Sequence, residues 1–271
     1  MRDFRSLLFL TLLVPISVPM AAQQPPRDPR AIRVIQQSLS AMGGGAAAAS
    51  IQDGVARGQF RPLAGSGLKP ATFIWKHSWA GGSYEFRRET ALDHGPVLVV
   101  SGHGSPRALD PGGLRVLPED SALEPAIHLP RRVFVAALID PQYKFEAPSD
   151  AVLNDGRKAV RVHFELAARD PQIRAASSQD WFFDPTTWLP LRLEFRVTSL
   201  PDPSWTRSGP ESLAVAVEYS DFRAVGAVLV PFTMTIRARG SELLLATLES
   251  VTFNSGVRPS EFDAPGSGGG L

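Results

Sequence analysis

From residue 179 to residue 253, apolar and polar residues alternate in four or five successive runs. In Leu191-Arg192-Leu193-Glu194-Phe195-Arg196-Val197 every odd position is apolar and every even one is charged. Side chains alternate faces along a strand, so this period of two describes a sheet with one dry face and one wet face. Val160, Val162, Phe164 and Leu166 alternate with Arg161, His163 and Glu165 in the same way. So do Phe232, Met234, Ile236 and Ala238 with Thr233, Thr235, Arg237 and Arg239. Shorter strand candidates occupy 55–60, 72–76, 83–89, 97–100 and 114–117, and strands resume from Lys144. Asp155-Gly156 and Asp184-Pro185-Thr186-Thr187 are turn signals, and Pro231 is placed at a strand start, where its missing N–H costs little.

Two segments break the period. Asp28 and Pro29 form an N-cap and first helical position, Gly43 supplies a stop, and between them Ala31, Ile35, Leu39 and Met42 make one apolar stripe. A short alanine-rich turn of helix is expected after Gly43-Gly44-Gly45, running to Ser50. In 130–139, Val133, Phe134, Ala137 and Leu138 fit a helical face, and this is read as a second, lid-like helix. Many strands joined by short turns, with few helices between them, make a mainly β protein of α+β type built on one antiparallel sheet. A sheet that large twists and curls, and so few helices are expected to leave part of its concave side as an apolar cavity.

The ends stand apart from this fold. Arg2 and Arg5 precede an apolar run from Leu7 to Val18, and Met20-Ala21-Ala22 offers small residues before Gln23. That layout predicts a secretory signal over 1–22; the run is too short for a permanent membrane anchor, and Pro15 interrupts it. A single domain is expected over 23–265, and the Gly-rich 266–271 reads as a disordered tail. Without Arg2, Arg5 and Asp3, the 28 basic and 27 acidic residues become 26 of each. Neutrality, with no basic stripe, speaks against nucleic acid and against an anionic membrane surface as partners. The absence of cysteine excludes disulfides, thiolate zinc sites and lipid attachment at a cysteine. The expectation is an exported soluble monomer, periplasmic if the cell has an outer membrane.

A set of turn and strand-start motifs carries a family resemblance. Met42-Gly43-Gly44 follows the first helix, Trp181-Phe182-Phe183-Asp184-Pro185-Thr186-Thr187-Trp188-Leu189-Pro190 spans one hairpin, and Tyr219 to Pro231 spans another. Leu248-Glu249-Ser250-Val251 and Phe262-Asp263-Ala264-Pro265 close the chain. Together they resemble the outer-membrane lipoprotein-sorting proteins of the LolA/LolB-like superfamily, over most of the chain and most strongly from Trp181 onward. The resemblance implies a half-open β-barrel, two or three helices acting as a lid, and an apolar cavity that holds acyl chains. The carriers' gating arginine and membrane-docking loop find no match in this chain.

Candidate chemistry is sparse. Asp93-His94 and Ser101-Gly102-His103-Gly104-Ser105 bracket one strand, which holds the two histidines too far apart to share an ion unless it bends back. His77, His128 and His163 are isolated in sequence and are read as surface residues. Glu85, Glu89, Glu165 and Glu194 alternate with Arg or Lys, the pattern of a solvated face with cross-strand ion pairs. No nucleophile elbow, phosphate loop, dinucleotide fingerprint or zinc helix is present, so no enzyme and no cofactor is expected. The aromatics Phe73, Trp75, Tyr84, Phe86, Trp181, Phe183 and Phe195 fall at strand spacing, as core or as the lining of a pocket. The candidate ligand-binding set is Ile35, Leu39 and Met42 from the first helix, closing over Phe73, Trp75, Phe86, Trp181, Phe183, Leu193, Phe195 and Met234. The leading expectation is a carrier or binder of a lipid, a lipoprotein acyl chain or another apolar ligand. The alternatives are an envelope sensor or scaffold that binds another protein, and a hydrolase using the His94/His103 loop.

Overall fold

The sequence places the first and last long strands far apart, yet they pair side by side and so join two meanders into one sheet. The computed structural model describes residues 25–62, 69–79, 84–93, 95–101, 106–117, 128–197, 213–238 and 240–263. The first meander comprises β1 (Asp53–Pro62), β2 (Ala71–Ser78), β3 (Glu85–Leu92), β4 (Gly95–Ser101), β5 (Arg107–Asp110) and β6 (Gly113–Val116). The second comprises β7 (Tyr143–Phe145), β8 (Ser149–Val152), β9 (Lys158–Leu166), β10 (Gln179–Phe183), β11 (Pro190–Val197), β12 (Leu213–Val225), β13 (Val228–Ala238) and β14 (Ser241–Phe253). The sheet runs β6-β5-β4-β3-β2-β1-β14-β13-β12-β11-β10-β9-β7, with β8 also on β9, and every named pairing is antiparallel. The order does not return on itself, so the sheet is curled and open rather than a closed barrel.

The alternation seen in the sequence sorts the two faces. On β13, Phe232, Met234, Ile236 and Ala238 are buried while Thr233, Thr235 and Arg237 are half-buried. Register carries the apolar set across the sheet: Trp181 lies opposite Leu193, Leu193 opposite Val217, Tyr219 opposite Met234, and Met234 opposite Ala246. Gly58 sits at a bulge opposite Leu248, where a Cβ would come within 2.3 Å of the Thr247 carbonyl oxygen and 2.7 Å of the Phe73 ring. Only glycine lets that ring lie across β1.

Three helices roof the inner face. α1 (Pro29–Ala41) has Asp28 as N-cap, its carboxylate accepting from the Arg30 backbone N–H, and α2 (Gly44–Ala49) follows directly. α3 (Pro130–Ile139) packs on both of them. Gly43, at φ +108°, turns the chain between α1 and α2, and the Leu229 N–H donates to the Met42 carbonyl at 3.1 Å. At the other end of α1 the Asp28 N–H donates to the Phe145 carbonyl at 3.1 Å, so the helix is fastened at both ends.

Several expectations need correction. β5 (Arg107–Asp110) and a fourth helix, α4 (Pro171–Ser177), are not anticipated by the pattern; at four and seven residues they are short, and neither shows a clear apolar alternation or stripe. Pro231 lies inside β13 rather than at its start. It pairs with Phe222 on β12, while pairing with β14 begins only at Thr233, so its missing N–H faces no ladder. Glu85 is buried rather than solvated. A 3₁₀ helix, Pro259–Phe262, lies against β3, with Glu261 2.6 Å from Lys76 and the Glu261 carbonyl accepting from Arg87. The expected signal segment 1–22 and the tail 266–271 lie outside the described residues. Among those described, no helix is long and apolar enough to cross a membrane.

Candidate functional site

The inner face and the helices meet in one apolar cluster. Ten of the eleven candidate residues are in it: Ile35, Leu39, Met42, Phe73, Trp75, Trp181, Phe183, Leu193, Phe195 and Met234. Phe86 is not; it packs with Val97, Val99, Ala108 and Leu117 in a separate cluster near the β6 edge, because β3 carries it past the end of the helical roof. Ile35, Met42, Trp181, Phe183, Leu193 and Met234 are 0 % exposed. A void able to hold an acyl chain would leave such surfaces open to a water-sized sphere, so around these six side chains the interior is filled. Two hydroxyls are stranded there without partners, Ser38 Oγ on α1 and Tyr219 Oη on β12. The Trp181 indole, by contrast, donates to Gln179 Oε1 at 2.9 Å and stacks parallel on Tyr219.

Open space lies at the flank of α1. A groove of about 480 Å³ is lined by Arg33, Gln36, Gln37, Ser40 and Ala41 of α1 and by Trp188 across from them. Trp188 sits at φ +60°, a conformation a bulky side chain rarely adopts. The Asp184 turn holds it: Asp184 Oδ1 accepts from the Thr186 and Thr187 N–H groups, and the Trp188 N–H donates to the Asp184 carbonyl. Sequence patterning finds the turn but not the groove, because the groove is formed by residues on the polar side of α1.

A second assembly is not foreseen by the pattern. His77 and His128, expected at the surface, are each 3 % exposed. The reason is their neighbours: an aromatic row runs from Phe60 to Phe73 (4.3 Å between centroids), Trp75 (4.1 Å), His128 (4.4 Å) and His77 (4.3 Å). Beyond His77 the row reaches Trp79, Tyr84 and Phe86. His77 Nδ1 is 2.7 Å from Tyr84 Oη, and His77 Nε2 has no partner. Burial, reinforced by the charge of Arg132, pushes the His77 pKa down to about 3; burial and then His77 lower that of His128 well below the usual range.

Two arginines at the start of α3 complete this assembly. Arg132 lies over the Trp79 ring, 4.2 Å from its centroid, with Nε unpartnered. Arg131 is 1 % exposed; one Nη donates to the Gly44 carbonyl at 3.3 Å, while Nε and the other Nη have no partner. Burial lowers both guanidinium pKa values to about 10. Both groups remain cationic at neutral pH, and among the described residues neither forms an ion pair. The α3 N-cap is Leu129, which offers no side-chain cap.

The other titratable groups behave structurally. His163 stands on the outer face as expected, 3.0 Å from Asp180; that hydrogen bond raises its pKa against the opposing effect of burial. Arg192, Glu218, Arg237 and Glu242 form a ladder across β11 to β14. Arg192 is half-buried rather than fully solvated, since its neighbours cover it. His94 and His103 lie outside the described residues, and among those described no three His, Asp or Glu side chains gather to hold a metal ion.

No family model matches this chain, and no curated protein sequence matches it. Solved structures do. A domain described as an outer membrane lipoprotein-sorting protein from Vibrio parahaemolyticus superposes with a TM-score of 0.54 at 13% identity, over 86% of this chain and 95% of that one. A DUF1329 family protein from Desulfovibrio piger gives 0.54 at 11% over 86% and 97%, and a LolA superfamily protein from Nitrosomonas europaea gives 0.53 at 9% over 87% and 98%. At these identities the likeness is one of fold: the curled, open antiparallel sheet with its helical roof is the LolA-like fold.

Proposed function

We propose that this protein is an exported, non-enzymatic carrier or binder of a lipidic ligand, a lipid or lipoprotein acyl chain, held between the curled sheet and the helices α1 to α3. The observation that carries this reading is the construction of the interior: one apolar face shared by strands of both meanders, roofed by helices that add no strand to its ladder. Such a roof can part from the sheet without breaking the sheet's hydrogen bonds. The Vibrio parahaemolyticus protein of this fold is described as lipoprotein-sorting, which supports the reading without extending to this chain's ligand.

The filled interior sets the mechanism. A chain enters by displacing the helices from the apolar face, among them Phe134 of α3 from Trp181 and Phe183, and its methylenes then pack against the apolar surface left behind. Burying each CH₂ is worth ~0.8 kcal/mol, so one chain of about fourteen carbons contributes roughly 10 kcal/mol before the cost of ordering it. The groove beside Trp188 gives a route from solvent to that boundary. No charged group is needed to hold the chain itself, and the charged ladders of the outer face keep the protein soluble in the periplasm. The test is lipid extraction of protein purified from its native envelope, followed by mass spectrometry. A stoichiometric amphiphile is expected, and its absence from repeated preparations defeats the carrier.

One observation favours a second reading. A core that is closed without a ligand suits an envelope sensor or scaffold that uses the fold to contact another protein. A specific protein partner recovered by cross-linking in the envelope, together with lipid-free protein, would select it.

A further inference from the structure

The buried donors at the start of α3 have no acceptor to face. Arg131 keeps two guanidinium nitrogens unpartnered at 1 % exposure, Arg132 keeps Nε, and His77 keeps Nε2 at 3 %. A native protein pairs nearly all such groups, and leaving buried charge unpaired costs more than any neutral orphan. The cluster also carries two positive charges, with Arg132 near enough to lower the pKa of His77. An added cation would increase that repulsion, whereas an anion would relieve it. The backbone adds to the same preference: α3 begins without a side-chain cap, and a helix N-terminus favours negative charge.

We propose that Arg131, Arg132 and His77, whose Nε2 proton is set by the Tyr84 hydroxyl donating to Nδ1, form the site for an oxyanion, the carboxylate or phosphate head of an amphiphile whose chain lies along the aromatic row toward Phe60. This rests on the lipid-binding reading and names the ligand class: anionic, single-headed, with its polar end at α3. The row supplies the polarity gradient such a ligand needs. Phe60, Phe73 and Trp75 are apolar, His128 and His77 follow, and Trp79 ends beneath the Arg132 guanidinium. An oxyanion accepts several N–H donors at once and offsets the guanidinium charges, one of the two for a carboxylate and up to both for a phosphate monoester, which water cannot do. The neutral state of both histidines suits this role, since His77 then offers one N–H without adding a third charge.

The experiment uses the mature chain and two soluble fluorescent probes, dansyl-undecanoic acid and its uncharged primary amide, with inorganic phosphate and acetate as free anions. Dansyl emission excited through the five tryptophans reports affinity. The acid is expected to bind at least ten-fold tighter than the amide. Arg132→Gln is expected to abolish that preference while leaving the amide unchanged, whereas the exposed Arg157→Gln leaves both unchanged. Arg131→Met is expected to raise the melting temperature of the ligand-free protein while weakening the acid, a pairing of effects that a purely structural arginine does not give. If Arg131→Met fails to fold, Arg132→Gln alone decides. Equal binding of acid and amide, or a preference that survives Arg132→Gln, overturns the proposal. If neither probe binds but phosphate or acetate raises the melting temperature in an Arg132-dependent way, the anion site stands and the lipid carrier falls. If no anion in any form is bound, the site falls with it.

Discussion

Acid should destabilise this protein well above the pH at which its carboxylates titrate. His77 is held neutral by burial, with its pKa lowered from 6.5 to about 3, and His128 is lowered in the same direction. Above pH 6.5 neither ring carries a proton in the folded or the unfolded chain, and the two cost nothing. Below 6.5 the unfolded chain takes up protons that the folded chain refuses, so stability falls with falling pH, for His77 across the window from 6.5 to about 3. A refused proton costs about 1.4 kcal/mol per pH unit, or about 2 kcal/mol by pH 5 for the His77 ring, and His128 adds to the loss in the same direction. Against a typical total of about 5 to 15 kcal/mol, that loss is large. Other shifted groups add little between pH 6.5 and 5. The raised pKa of His163 makes its contribution complete once pH is below 6.5, and the contributions of Asp180, Glu146 and Glu261, whose pKa values are lowered from 3.8, 4.5 and 4.5, are present above those values and are lost only as pH falls through and below them. Urea unfolding followed by tryptophan fluorescence at pH 7, 6 and 5 measures the slope. The double variant His77→Phe/His128→Phe, which keeps two flat rings in the row, should lose most of it. A wild-type stability that is flat between pH 7 and 5, or a double variant with the wild-type slope, refutes the reasoning.

Two further substitutions test the interior. Gly43→Ala places a methyl 2.1 Å from the Ala227 carbonyl oxygen at φ +108°, so it should cost about 2 to 4 kcal/mol in thermal or urea unfolding by forcing α1 away from the β12–β13 turn; an unchanged midpoint would show that this contact is dispensable. Tyr219→Phe removes a buried hydroxyl that has no partner and should be neutral or stabilise by up to about 1 kcal/mol in the same assay; a clear loss of stability would show that the hydroxyl has a partner after all.

How much of this is legible in the sequence depends on how local each signal is. The alternation in 191–197 and 232–238 comes from a sheet with one wet face, and it predicts the buried positions Leu191, Leu193 and Phe195 of β11 and Phe232, Met234, Ile236 and Ala238 of β13 directly. The α1 stripe and its Asp28 cap are equally local. Short elements are weakly marked: β5 has four residues, too few for a period to be distinguished from chance, whereas β8 is signalled only by the turn that follows it. Phe86 falls in the expected ligand-binding set because strand alternation reports a face and not a position along it. β3 shares its inner face with β2, but the helical roof ends before it. Whether the interior is open or filled is beyond the sequence, since it depends on volumes summed over both meanders.

The histidines escape for a different reason, and it bears on where function resides. His77 continues the odd-numbered face of Phe73 and Trp75, so strand alternation does place it inward. A surface reading follows from letting residue type override position. His128 has no strand to place it and is brought to His77 only by the fold. The roof above them is anchored where it is polar: Arg131 reaches the Gly44 carbonyl, and at the other end of α3 Arg27 donates to the carbonyls of Ala137, Leu138 and Asp140. α1 is likewise fastened at Asp28 and Met42. Helices fixed at both ends do not swing open like a hinged door. With both ends kept, the proposed entry of a chain would have to bow α1 in its middle, which runs beside the Trp188 groove. The fastenings thus turn the search for an opening away from the helix ends and toward that flank, with the cationic pair Arg131 and Arg132 at the start of α3.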